Sequence, residues 1–318
     1  MKLLVTGAAG FVGSHFVRQL VTDQSAEFEV VVIDSLTYAG NLRNIQDFIG
    51  LSNFRFVHED ICNPNLSEDI FLEVDSVVNF AAESHVDRSI ESGVAFISTN
   101  IQGTHNLLDL VVKYGVPRYL QVSTDEVYGS ISEGSWDEVS PLLPNSPYAA
   151  SKASADLLVR SFNRTHGLHT NITRCSNNFG THQYPEKLIP VIIGKILAGE
   201  KIPIYGDGQN RRDWLHVLDH CRGIRSVMME GVSGEVYNIG GGTELSNLDL
   251  ARKIIQIMGA SENLITFVPD RKGHDLRYSV SFKKIEDQLG YMPIESIDKS
   301  LVDVVNWYIE NPNWWDKS

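Results

Sequence analysis

Apolar residues along this chain fall into two rhythms. Lys2–Thr6, Glu29–Ile33 and Ser76–Ala82 are apolar at most positions, as strands buried on both faces are, while Phe54–Asp60 alternates apolar and polar. Residues 118–122 and Leu168–Thr173 continue the series. Between these runs lie segments with helical spacing: Ser14–Val21, Gly103–Val112 and the small-residue run that begins at Ala149. Strands alternating with helices about every 25 residues predict an α/β fold, a Rossmann-type doubly wound parallel sheet.

The pattern loosens past residue 130. Pro141, Pro144 and Pro147, with Asn145 and Ser146, predict an irregular loop that ends at Tyr148, where serine and proline suit a helix start. Beyond residue 180 come a helix reaching about Leu197, an apolar Lys201–Tyr205 run, a Gly206-Asp207-Gly208 turn and a helix over Leu301–Ile309. We therefore divide the chain into a dinucleotide-binding domain over 1–178, with 217–240 returning to it, and a smaller C-terminal ligand-binding domain over 179–318. Trp314-Trp315 is expected to pack rather than to form a site.

The first strand runs straight into Gly7-Ala8-Ala9-Gly10-Phe11-Val12-Gly13 and then a helix. Glycines there permit a tight turn and close backbone approach, and a helix N-terminus takes a pyrophosphate. The second strand ends at Asp34, whose carboxylate is placed to accept from a ribose 2′-hydroxyl and to repel a 2′-phosphate, which favours NAD over NADP. The alternative is a strand-ending turn aspartate. Asp60-Ile61 would flank the adenine, and small Ala81-Ala82 would let the cofactor backbone approach.

The formal charge of −13 argues against nucleic acid or an anionic membrane as partner, and no apolar run is long enough for a membrane span. A phosphate-bearing ligand must be met by local cations. The candidates are Lys187, Arg211-Arg212, and Arg271 with Lys272, His274 and Arg277. Three scattered cysteines, Cys62, Cys175 and Cys221, show no metal-ligand spacing and suit the cytoplasm; no metal is expected.

The candidate chemistry sits at Ser123-Thr124-Asp125-Glu126-Val127-Tyr128-Gly129, after an apolar strand, with Tyr148-Ala149-Ala150-Ser151-Lys152 downstream. Ligands bind at the C-terminal ends of such strands. Two carboxylates, two hydroxyls and a lysine supply an acid, a base and a proton relay, although acids also suit the first turn of a helix. Tyr148 and Lys152 are i and i+4 on one helical face, which predicts an ammonium that favours phenolate. Asn177-Asn178, at the end of a later strand, reads equally as ligand-binding or as turn-capping.

Together these segments resemble the extended short-chain dehydrogenase/reductase family, and within it the dTDP-glucose 4,6-dehydratases. The resemblance runs almost end to end. Its carriers include Gly7–His15, Asp34-Ser35-Leu36-Thr37-Tyr38-Ala39-Gly40-Asn41, Ala81–Ser89, Ser123–Gly129, Pro185–Pro190 and Tyr205–Gly208. The Thr124-Asp125-Glu126 triplet is the specific part, because related sugar-nucleotide 4-epimerases lack an acid–base pair there. Where many members read Asp-Arg-Pro-Gly-His-Asp-Arg-Arg-Tyr, this chain has Asp270-Arg271-Lys272-Gly273-His274-Asp275-Leu276-Arg277-Tyr278, closer to the antibiotic deoxysugar branch.

The resemblance implies a hydro-lyase that turns dTDP-glucose into dTDP-4-keto-6-deoxyglucose by internal hydride transfer through tightly bound NAD. Tyr148 would be the base at the 4-hydroxyl with Thr124 aligning it, Glu126 the base at carbon 5 and Asp125 the acid at the 6-hydroxyl, with Lys152 beside them. NAD would be met by Gly7, Gly10, Phe11, Val12, Gly13, Asp34, Ser35, Leu36, Thr37, Asp60 and Ile61. Phe80, Ala81, Ala82, Ser84, Thr99, Ser123, Tyr148, Lys152 and Asn178 complete that set. The sugar nucleotide would be met by Ser84, Thr124, Asn177, Lys187, Leu188, Pro203, Ile204, Tyr205, Arg212, Asn238, Asp270, Arg271, His274 and Tyr278. A homodimer packed through helices near 100–112 and 148–165 is implied as well. The rival readings are another nucleotide-sugar 4,6-dehydratase, a 4-epimerase, and a non-catalytic NAD-sensing protein.

Overall fold

The computed structural model describes residues 1–316 apart from Gln24 and Ala26. Its strands are β1 (Lys2–Thr6), β2 (Glu29–Asp34), β3 (Phe54–His58), β4 (Ser76–Asn79), β5 (Arg118–Thr124) and β6 (His169–Cys175). After these come β7 (Asn177–Phe179), β8 (Ile202–Tyr205), β9 (Arg211–His216), β10 (Val236–Ile239), β11 (Glu244–Ser246) and β12 (Ile265–Val268). Seven form one sheet in the order β10-β6-β5-β4-β1-β2-β3, and every neighbouring pair is parallel.

Strand alternation divides the core. Leu3, Val5, Val30 and Val32 pack under helices Phe11–Val21 and Val217–Glu230, whereas Leu4, Val31, Ile33 and Val77 pack on the other face with Leu107, Val111, Val159 and Phe162. Both faces are covered, which is why these strands are apolar without a break. The order reverses between β1 and β4, so a crevice opens there at the C-terminal strand ends. A third cluster, with Ile192, Ile204, Ile254, Leu301 and Tyr308, is the core of the smaller lobe, and Trp314 belongs to it.

Two local expectations need correction. Arg174, just past the expected Leu168–Thr173 strand, lies within β6, fully buried, and its guanidinium donates to Asp156 at 2.9 Å and to the Tyr128 hydroxyl at 2.8 Å. Burying such an ion pair away from a partner would be costly, and the strand position brings both partners to the guanidinium. The expected helix from Gly103 is instead Thr104–Lys113, entered through a π-helical stretch over Ile97–Gly103. A Cβ at Gly103 would stand 2.6 Å from the Ile61 side chain, so that residue marks a close approach and not a helix start.

Candidate active site

At the switch point lies a cavity of about 320 Å3, lined from both lobes. Its floor is the glycine loop. Gly7 has φ +70°, and a Cβ there would sit 2.5 Å from the Ala81 amide nitrogen. Gly10 precedes helix Phe11–Val21 with no side chain capping its N-terminus, so the first amides are left to the cavity. The Asp34 carboxylate accepts from the Ala9 and Leu36 amides, both at 2.8 Å, which fixes the glycine loop against the end of β2. The turn reading of Asp34 and the cofactor reading therefore coexist. Open helix amides between bare glycines, with buried Ser123 Oγ and Asn178 Oδ1 lacking any partner, fit a dinucleotide.

Of the residues expected at the cofactor, all but Leu36 line this cavity. Leu36 packs its side chain on the core and contributes its amide to Asp34. At the far end of the cavity β5 delivers Thr124, whose hydroxyl accepts from the Glu126 amide at 3.2 Å and caps a tight turn over Asp125–Tyr128. The Thr-Asp-Glu spacing thus puts both carboxyls and Tyr148 on one wall.

Their environments differ. Burial, then the charges of Glu126 and Asp213, hold the Asp125 carboxyl well above the usual carboxylate range, and its Oδ2 has no partner. Burial also raises Glu126, but Lys187 and Arg212 pull it back toward the anion. The two neighbouring carboxyls thus differ in what opposes their ionisation, which is the asymmetry acid–base catalysis needs.

Tyr148 departs from expectation. Burial and the charge of Glu126 push its phenol well above its ordinary value, with a Thr124 hydrogen bond opposing, and Lys152 is not among the leading causes. The reason is where the amine points: Lys152 Nζ donates to the Val122 carbonyl at 2.7 Å, and burial lowers its own pKa. The helix Pro147–His166 is held by Ser146 at its N-cap and by Ser151, which donates to the Tyr148 carbonyl and accepts from buried Asn100 at 2.8 Å. Asn100 also brackets the Glu83 backbone, at 2.9 Å and 3.0 Å.

A family model described as GDP-mannose 4,6 dehydratase matches residues 4–304. The dTDP-glucose 4,6-dehydratase of Streptomyces niveus is 50% identical over 99% of this chain and 95% of that protein. The chain belongs to the dTDP-glucose 4,6-dehydratase family. The crystal structure of the Streptomyces venezuelae dTDP-glucose 4,6-dehydratase, with NAD and TYD bound, superposes with a TM-score of 0.96 at 52% identity over 99% of each chain. A Bacillus cereus UDP-glucuronic acid 4-epimerase also superposes, with a TM-score of 0.91 at 29% identity over 98% of this chain and 100% of that one. Fold alone does not separate dehydratase from epimerase. The acid pair does.

Among the residues expected at the sugar nucleotide in this dehydratase family member, Ser84, Thr124, Asn177 and Lys187 line the cavity. Lys187 Nζ donates to the Ser84 carbonyl at 2.8 Å, which ties the two lobes. Tyr205, Asp270, Arg271 and His274 form a cluster on the smaller lobe, Arg271 lying over the Tyr205 ring at 5.2 Å and paired with Asp87 at 2.5 Å. Arg212 donates to the Asp275 carbonyl at 2.9 Å and stacks on Tyr278. Leu188 opens helix Leu188–Leu197 and Pro203 sits in β8, neither lining the cavity.

Three expectations fail for the side chain. Ile204 is buried in the core of the smaller lobe, and the Tyr278 hydroxyl is committed to Asp275. Asn238, wholly buried in β10, accepts from the Tyr128 hydroxyl at 2.9 Å and donates to the Trp136 and Ser281 carbonyls. All three were expected only through the family resemblance, which carries over positions and not side-chain orientations. Conversely His220 was missed: it lines the cavity from helix Val217–Glu230, buried, with neither ring nitrogen partnered and its pKa pushed down to about 3 by burial. A single histidine on the buried face of an amphipathic helix gives no sequence signal beyond core packing.

Proposed function

We propose that the protein converts dTDP-glucose into dTDP-4-keto-6-deoxyglucose and water, and that Thr124, Asp125, Glu126, Tyr148 and Lys152 carry the chemistry. The observation that supports this most is the Asp125–Glu126 pair, two neighbouring carboxyls with separated protonation preferences, facing the dinucleotide cavity beside Tyr148. An epimerase working only at carbon 4 has no use for it. NAD, held at the Gly7–Gly13 loop, Asp34 and Lys152, would supply the hydride acceptor and donor that the reaction needs.

The chain's own residues manage protons. Tyr148 takes the proton of the 4-hydroxyl; burial and Glu126 disfavour its phenolate, so the positive charge of a bound nicotinamide would have to offset them. Thr124, hydrogen-bonded toward Tyr148, aligns that hydroxyl. The ketone that results acidifies carbon 5, and Glu126 removes its proton. Asp125, kept protonated, gives its proton to the departing 6-hydroxyl, and the carbon-5 proton comes back as the chain of events closes. Lys152, buried with one donor on Val122, has further N–H groups for a ribose.

We assign residues 1–178 with 217–240 to the cofactor lobe and the remainder to the nucleotide-sugar lobe, where Lys187, Arg212 and Arg271 answer the diphosphate. A homodimer is supported by exposed apolar side chains at Val94, Ile97 and Leu157 on the helices around Tyr148. Three free thiols accord with the cytoplasm, and among the described residues no helix is long and apolar enough to cross a membrane. Incubation with dTDP-glucose and no external reductant tests the assignment. A product lighter by one water is expected, and a product of unchanged mass would overturn it.

A further inference from the structure

Tyr38 stands in the loop that follows Asp34, and Glu186 stands in the segment that leads to Lys187, yet both line the same cavity and bond to each other. The Tyr38 hydroxyl donates to Glu186 Oε1 at 3.1 Å across 148 residues of sequence. Its ring is held on both sides, by the Arg88 guanidinium at 4.1 Å and by the edge of Tyr184 at 5.7 Å. The second Glu186 oxygen lies 3.8 Å from His85 Nε2, and Ser84 also hydrogen-bonds the Tyr38 hydroxyl. The bridge therefore runs between the acid at the adenosine-ribose end and the lysine at the reaction end.

We propose that the Tyr38–Glu186 bridge is a latch over the dinucleotide, a pair of positioning residues that retains NAD while its hydride is away from the sugar. This rests on the cofactor assignment above. Internal return of a hydride requires that the reduced dinucleotide stay bound between two chemical steps, and an escaping cofactor would strand a ketosugar. A hydrogen bond from one lobe to a carboxylate of the other must break before the cavity opens. Tyr38, with a phenol pushed far above neutral pH by burial and by Glu186, remains a donor throughout. Neither side chain is needed for the proton transfers at Tyr148, Asp125 or Glu126.

The test is exchange of bound NAD against excess isotopically labelled NAD, in the wild type, Tyr38→Phe, Glu186→Ala, Glu186→Gln and the Tyr38→Phe/Glu186→Ala double variant. Tyr38→Phe keeps the ring between Arg88 and Tyr184, and Glu186→Gln keeps an acceptor. We expect Tyr38→Phe and Glu186→Ala each to speed exchange by roughly tenfold or more, as loss of a hydrogen bond to a charged group implies. The double variant should exceed the faster single by little, and Glu186→Gln, which keeps a neutral acceptor, should fall between wild type and Glu186→Ala. Unchanged exchange in both single variants, or effects that multiply in the double, would overturn the latch alone. A wild-type chain that binds no NAD would overturn the cofactor assignment and the latch with it.

Discussion

On one side of the cleft the walls are backbone: the bare turn at Gly7, the open amides after Gly10, and the strand ends at Asp34, Ala81 and Ser123. Beyond the cavity lining, on the smaller lobe, stand polar and charged side chains that already have partners. Arg271 holds Asp87, His274 holds Asp270, and Arg212 donates to the Asp275 carbonyl. The first wall is a fixed mould that cannot be altered by one atom. The second is a set of exchangeable partners in a chain of net charge −13, where the diphosphate proposed above would compete with Asp87 for Arg271. Shape should thus dominate the response to mutation on the cofactor side, and charge on the sugar side.

The largest expected effect is on the mould. Gly7→Val forces a Cβ toward Ala81 nitrogen at 2.5 Å in a left-handed conformation, so NAD binding measured by calorimetry should vanish and the melting temperature should fall. Next comes the reacting wall. Asp125→Asn should cut kcat by about 10²–10⁴, since a general acid is lost, while the 340 nm absorbance of reduced cofactor still rises on mixing with sugar nucleotide.

Arg271→Ala should raise KM for the sugar nucleotide by roughly tenfold or more with little change in NAD affinity, and the defect should shrink at high salt. If NAD affinity falls as steeply, the two sides are not separate in the way described. A smaller effect is a matter of pH. Asp125 must be protonated, so kcat falls as pH rises through its raised pKa; Glu126 must be ionised, so kcat falls as pH drops through its own. Asp213 is one of the charges that raise Asp125. Asp213→Asn should move the alkaline limb to lower pH and leave the acid limb in place. The smallest effect belongs to Leu276, which is 71% exposed and gives only its carbonyl, to the Arg211 amide. Leu276→Arg should change stability by less than about 0.5 kcal/mol and leave turnover alone.

The same contrast explains what the sequence made legible. Backbone-built features leave fixed marks: glycine spacing after β1, an acid at the end of β2, small residues after β4. Every cofactor expectation except Leu36 accordingly meets the cavity. Side-chain networks leave no such mark. Nothing in the letters distinguishes an arginine that answers a ligand from Arg174, which is sealed in the core against Asp156, or an asparagine in a site from Asn238, which is spent on Tyr128 and two carbonyls. The i, i+4 spacing of Tyr148 and Lys152 gave the face correctly but not the partner, because the Val122 carbonyl competes for the amine.

The central claim is that water leaves carbon 6 while one hydride moves within one sugar. The most direct measurement uses dTDP-glucose deuterated at carbon 4, incubated with the holoenzyme without external reductant, with the product followed by mass and proton NMR. The account predicts a 4-keto product lighter by one water, carrying the deuterium on carbon 6. A product of unchanged mass with the label still on carbon 4, or a dehydrated product from which the label has been lost, would contradict it.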